Sequence, residues 1–161
     1  MQLTDVFATL TEFVLTLDPV VQFLAVLVIG TVPFLEAEAG AMIGIITGVP
    51  VALAVGAAIV GNMLAVLVAV RAGTALATRR AGRREEATNA RRDKVMARVD
   101  RYGVPVASLL APTILPISFT AFFMSSAGLS RRQVLVWQAV TVVAWTVLFA
   151  LLATGVLVAT R

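Results

Sequence analysis

From Ala39 to Val70 no residue carries a charge. One helix of that length would reach about 48 Å, against a bilayer hydrocarbon core of about 30 Å. The run therefore has to break or fold back, and Gly48-Val49-Pro50 supplies the break. The simplest division is a short segment over 39–48 and a true span near 50–70. Upstream, the apolar run from Val20 to Leu35 reaches only about 24 Å as a helix, too short to cross. A second uncharged stretch, 102–130, is cut by Pro105, Pro112, Pro116 and Gly128. Residues 133–160 read as a clean final span, with Trp137 near one end and Trp145 inside.

Composition points the same way. Of the 161 residues, 60% are apolar and 14% charged, where soluble domains carry about 25% charged residues. The length admits one compact domain. With no cysteine and no histidine, disulfides and thiol redox chemistry are excluded. The commonest metal ligand and the usual general base near neutral pH are missing too. No metal and no cofactor are expected. A cleavable signal is not expected either, since Asp5, Glu12 and Asp18 stand where a signal has basic residues.

Charge is distributed unevenly. Residues 1–70 hold five acids and no basic side chain, whereas 71–101 hold ten Lys/Arg and four acids. The arginines lie between apolar runs without interleaved aromatics, which argues against nucleic acid as a partner. A dense basic loop between spans stays cytoplasmic. If 104–128 crossed the membrane, Arg131 and Arg132 would emerge outside, against that bias. If it dips in and returns, both stay inside, and its prolines mark the turn. The same reasoning makes the segment around Pro33 a hairpin dipping in from the opposite face. Irregular backbone at membrane depth is tolerated only inside protein or beside water, and interrupted segments in both halves of a chain point to a transport site.

The expected fold is thus an all-α integral membrane protein with two opposed re-entrant hairpins. Residues 1–18 form an amphipathic helix, with Leu3, Val6, Phe7, Leu10, Phe13, Val14 and Leu17 at helical spacing; it lies at the interface or packs across the bundle. Residues 19–161 form a single membrane domain. It comprises a first re-entrant region (19–49), a span (50–70), a cytoplasmic basic loop (71–101), a second re-entrant region (102–130) and a last span (133–160).

Glu36 and Glu38 are the sharpest chemical signal. Carboxylates beside hydrocarbon are costly unless neutralised or paired, and two in close quarters resist both being ionised, which suits a proton carrier. Extended or broken backbone would place both on one side; a helix would part them. The competing reading leaves them as solvated residues at the headgroup boundary. Asn62 sits on an otherwise apolar helix and needs partners, either for helix packing or for a ligand. Arg71 ends the span and either snorkels to the surface or meets a phosphate or a glutamate. Thr113, Pro116, Ser118 and Thr120 line the second turn. The hydroxyls of Thr113, Ser118 and Thr120 satisfy backbone groups freed by the prolines or form an uncharged polar cradle.

These residues resemble a family. Pro33-Phe34-Leu35-Glu36, Gly44, Gly48, the run Gly56 to Asn62, and Arg71-Ala72-Gly73 are similar to the first half of DedA-superfamily membrane proteins. Arg101-Tyr102-Gly103, Ile114-Leu115-Pro116, Ala127-Gly128 and Ala144-Trp145 are similar to the second half. The short length and the Gly-Asn pair look most like the small multidrug export branch. The resemblance covers roughly residues 20–150. It implies an inverted repeat and a proton-dependent translocase, or flippase, of a lipid or amphipathic small molecule in the bacterial inner membrane. The family's first-hairpin acid falls on Glu36, its later acidic position on Asn62 and the following basic position on Arg71. The arginines that flank the second-hairpin proline in the better-known branch read Thr113 and Phe119 here, and the following glycine is Ile117. That departure weighs against a polyprenyl-phosphate substrate. A non-transporting scaffold, docking through the amphipathic start and the basic loop, is the alternative function; an enzyme is not expected, for want of a catalytic constellation. A chain this small encloses little of a path alone, so a second copy is a candidate partner.

Overall fold

A computed structural model of the chain describes residues 3–81 and 103–159. The described residues are helical, without strands. Helix α1 runs Leu3–Leu15, α2 Pro19–Thr31, α3 Glu36–Ile46 and α4 Val51–Ala81. Helix α5 runs Val104–Leu110 and continues as a 3-10 turn over Ala111–Thr113. Helix α6 is Ile117–Ser126 and α7 is Arg131–Ala159. The core of the Arg-rich loop beyond Ala81, the Arg101-Tyr102 pair and Arg161 lie outside the described residues.

Helix lengths follow the breakers. Pro19 opens α2, where its missing N–H costs nothing. Gly48, at φ +95°, ends α3: its N–H donates to the Ile45 carbonyl and the Val49 N–H to the Gly44 carbonyl. This is the Schellman closure, which favours glycine because only glycine takes positive φ without penalty. Gly128, at φ +85°, ends α6 with the same two bonds, to Ser125 and Met124. The long helices α4 and α7 then open at Val51 and Arg131. Each of these pairs lies eighty positions apart, so the second half repeats the order and register of the first.

Helices α4 and α7, with 31 and 29 residues, reach about 45 Å and are long and apolar enough to cross a bilayer. Helix α4 runs on through Arg71, so the helix outlasts the apolar stretch expected over 50–70. Helices α2 and α3, with 13 and 11 residues, reach only about 16–20 Å. The chain divides into two compact units, Met1–Leu64 with Val142–Arg161, and Ala65–Thr141.

In the first unit α2 and α3 fold back on each other, with Gly40 against Val26 and Gly30, and Gly44 against Val26. A methyl group at Gly30 would sit 2.6 Å from the Ala58 carbonyl oxygen, and one at Gly61 would collide with the Leu27 carbonyl. Small residues thus let α2 and α4 meet backbone to backbone, the usual device where packing rather than hydrophobic burial holds helices together. Ile45, Val49 and Ala54 pack with Ala150 and Ala153 of α7. Helix α1 lies on the hairpin, Val14 joining Ile29 and Ile43 with Phe7 and Leu10 beside them; Phe13, expected on this face, is instead 58% exposed.

In the second unit α5 and α6 also fold back, bringing Ser108 to Met124, with Gln138 of α7 beside both. Gly73 of α4 lies against α6, where a methyl group would be 2.5 Å from the Phe122 carbonyl oxygen.

These contacts separate two kinds of glycine. Gly61→Ala is expected to destabilise the protein by about 1–3 kcal/mol through overpacking. Gly56→Ala, facing open space, should be neutral or stabilising by up to about 1 kcal/mol. Denaturant unfolding in micelles measures both; equal effects would show that the backbone contact is not what holds α2 on α4.

Candidate functional site

The first unit gathers Glu36, Glu38 and Asn62. The chain leaves α2 through Val32-Pro33 and turns at Phe34, φ +72°, and Glu36, φ +49°. These are the two non-glycine residues with positive φ among those described. Such a conformation costs on the order of 1–3 kcal/mol per residue and clusters at functional sites. Glu36 and Glu38 both occupy the first turn of α3, where the helix dipole favours negative charge. Glu36 is 6% exposed. Glu38 is partly buried, and its Oε1 is sealed from solvent with no hydrogen-bond partner among the described residues. The backbone is therefore neither extended nor regular here: a left-handed residue leads into a helix.

Asn62 reaches this place through helix register. Gly44 lies against Ala54 and Gly40 against Ala58, so α3 and α4 run antiparallel. One further turn along each helix brings Glu36 level with Asn62, on the face of α4 that also carries Ala54 and Ala58. Asn62 is fully buried, and neither its Oδ1 nor its Nδ2 has a hydrogen-bond partner among the described residues. An unsatisfied buried polar group costs about 1–3 kcal/mol. The first unit thus keeps an unsatisfied buried amide in the same compact body as the two first-turn acids of α3.

The second unit holds an uncharged cluster. Gln138 is fully buried; its Nε2 donates to Ser108 Oγ at 3.3 Å and faces Met124 Sδ at 3.8 Å, while its Oε1 has no partner. Ser108 is fully buried too, and Ser125 Oγ is buried without a partner. Ser118, Thr120 and Pro116 are buried. Thr120 Oγ1 donates to the Pro116 carbonyl at 3.2 Å, so this hydroxyl serves the proline turn. Thr113 is exposed and donates to the Leu110 carbonyl. Arg71 is exposed on α4, in keeping with a side chain that snorkels.

Gln138 and Ser108 are the residues that the sequence reading passes over. Gln138 is a lone amide on an apolar helix, the signal that marks Asn62. No group of three or more His, Cys, Asp or Glu able to hold a metal ion occurs among the described residues. The chain matches no protein-family model, no curated protein and no solved structure.

The amide network makes a prediction of its own. Ser108→Ala leaves the Gln138 amide with only the Met124 sulfur and is expected to cost about 1–3 kcal/mol. Adding Gln138→Leu should recover most of that loss, because removing both partners of a buried pair is nearly neutral. A double-mutant cycle by unfolding in micelles reads the coupling; additive losses would mean that the pair does not interact.

Proposed function

We propose that the chain is an integral protein of the bacterial cytoplasmic membrane and a proton-coupled transporter of a lipid or amphipathic small molecule. Each hairpin dips into the bilayer and returns to the face it left. The observation that carries this reading is the pairing of helices too short to cross with buried, unsatisfied polar groups. Two such pairs recur in register, α2 with α3 and α5 with α6, each followed by a helix long enough to span. Interrupted segments in corresponding positions are where transporters bind.

Exposure supports the membrane part. Over their most apolar stretches α4 and α7 are only 33% and 22% buried, where the core helix of a soluble domain is mostly covered. Val20, Ile114, Val68 and Leu151 all stand more than 60% exposed. Apolar surface on this scale needs lipid or a partner. The likeness to the DedA superfamily points to the same architecture. Glu36 and Glu38 take up and release the proton, and Asn62 lies level with them. Ser118 and Thr120 lie on the second hairpin, in the second unit, and contact the substrate without charge. The chain is read as a carrier, not an enzyme.

Two measurements test this. Single cysteines at Arg79 and Arg131 should react with an impermeant maleimide only from the cytoplasmic side, and one at Val51 only from the other. Labelling of position 131 from outside would replace the second hairpin with a plain span. In proteoliposomes, flux of a tail-labelled lipid or a hydrophobic dye should follow an imposed pH gradient. Glu36→Gln should abolish that dependence with insertion unchanged, and persistence of gradient-driven flux would remove Glu36 from the proton path.

A further inference from the structure

We infer that the second unit docks an anionic phospholipid, with its head on the arginines that open α7 and its chains on the apolar face below them. The inference rests on the membrane part of the reading above and concerns the protein's surface, not the transported molecule. Its first support is charge. Of the 13 Lys and Arg, twelve lie between Arg71 and Arg132, inside the second unit; the other, Arg161, belongs to the first. The second unit's four acids, Glu85, Glu86, Asp93 and Asp100, all lie in the basic loop beyond Ala81. Among its described residues there is no acid. Arg71, Arg79, Arg131 and Arg132, all exposed, therefore have no carboxylate there to pair with.

The second support is placement. Arg132, Val136 and Val140 recur every four residues on one face of α7, and all three are exposed. Val140 lies about 12 Å along the axis from Arg132, far enough to pass from headgroups into hydrocarbon. Helix α4 repeats the pattern with Val68, Arg71, Ala75 and Arg79, also exposed. Gly73 lies against the last turn of α6, and α7 opens five residues beyond Ser126. Arg131 is thus within about 18 Å of that contact, and Arg79 within about 9 Å. The two faces bring their arginines into one neighbourhood. A guanidinium fork matches a pair of phosphate oxygens. A zwitterionic lipid also brings an ammonium, which arginines repel and which no described acid of this unit holds. A lipid of net negative charge is the complementary occupant.

Trp137, next to Val136 on α7, is a built-in reporter. The full chain carrying Trp145→Phe is reconstituted in phosphatidylcholine vesicles. A minor fraction of the lipid is chain-brominated phosphatidylglycerol or chain-brominated phosphatidylcholine, and quenching of Trp137 compares the two. The phosphatidylglycerol is expected to associate about fivefold or more tightly, and the preference should shrink at high salt. Arg131→Gln with Arg132→Gln should bring the two lipids level, whereas Arg131→Lys with Arg132→Lys should keep most of the difference. Equal quenching by the two lipids overturns the inference without any arginine variant having to fold, and so does a preference that survives the glutamine pair. Loss of the preference on adding glycerol phosphate at matched ionic strength would assign the arginines to free phosphate, and overturns it too. Flotation with the vesicles reads the membrane part separately. A chain that floats without a preference loses only the lipid assignment; one that does not float loses the membrane reading as well.

Discussion

The contact between backbones at Gly30, Gly61 and Gly40 is the constraint on which the first unit depends. Helices of 13 and 11 residues gain little from propensity, because helices this short are marginal on their own. They persist because they lie directly on each other and on α4. The approach is close enough that a single methyl group at Gly30 would strike the Ala58 carbonyl. That closeness brings dispersion and weak backbone contacts at many points. It also fixes register. With Gly44 on Ala54 and Gly40 on Ala58, the position of Asn62 along α3 is no longer free. The polar site is thus a consequence of small residues two turns away.

Much of this was legible in the chain, and the reasons differ by element. The breaks at Gly48 and Gly128 were visible because positive φ leaves glycine as the residue of choice. The short helices were visible because an uncharged run longer than one crossing must be divided. What escaped were features that averaging hides. Gln138 disappears in the mean hydropathy of a long span, although one buried amide decides local satisfaction. Helix α4 outlasts the apolar run that Arg71 ends, because a helix stops only when hydrogen bonding or backbone geometry stops it; Ala72 to Ala81 contains good helix formers. For Thr113 the sequence leaves two readings, a lining residue or a hydroxyl that satisfies backbone near the prolines, and its bond to the Leu110 carbonyl beside the 3-10 turn fits the second.

The positive φ angles at Phe34 and Glu36 had no sequence signal, since both are residues that disfavour that region. Glycine at either position would have relieved the backbone. Where local preference and tertiary structure disagree, the surroundings must hold the residue in place. Glu36 N–H donates to the Val32 carbonyl at 2.9 Å and Leu35 N–H to the same carbonyl at 3.2 Å. The kink therefore satisfies its own donors while setting Glu36 into the buried turn. Strain, a buried acid and a partly buried one fall within one short turn of the first unit, and the unsatisfied Asn62 amide stands level with Glu36 by helix register, where a fold selected for stability alone would have used glycine, glutamine or leucine.

The repeat sharpens that contrast. Position for position, Glu38 corresponds to Ser118, Gly40 to Thr120 and Glu36 to Pro116, because the caps at Gly48 and Gly128 set the register. The two halves share a backbone plan but not a charge. The second carries hydroxyls and an amide, of which Thr120 Oγ1 serves the proline turn and Gln138 Nε2 reaches Ser108. The first carries carboxyls with no basic residue between positions 1 and 70. A chain that needed only packing could have used either chemistry twice. Among the described residues one buried acid and one partly buried acid stand in the first hairpin and none stands in the second, so the same backbone plan is filled with opposite chemistry in the two halves.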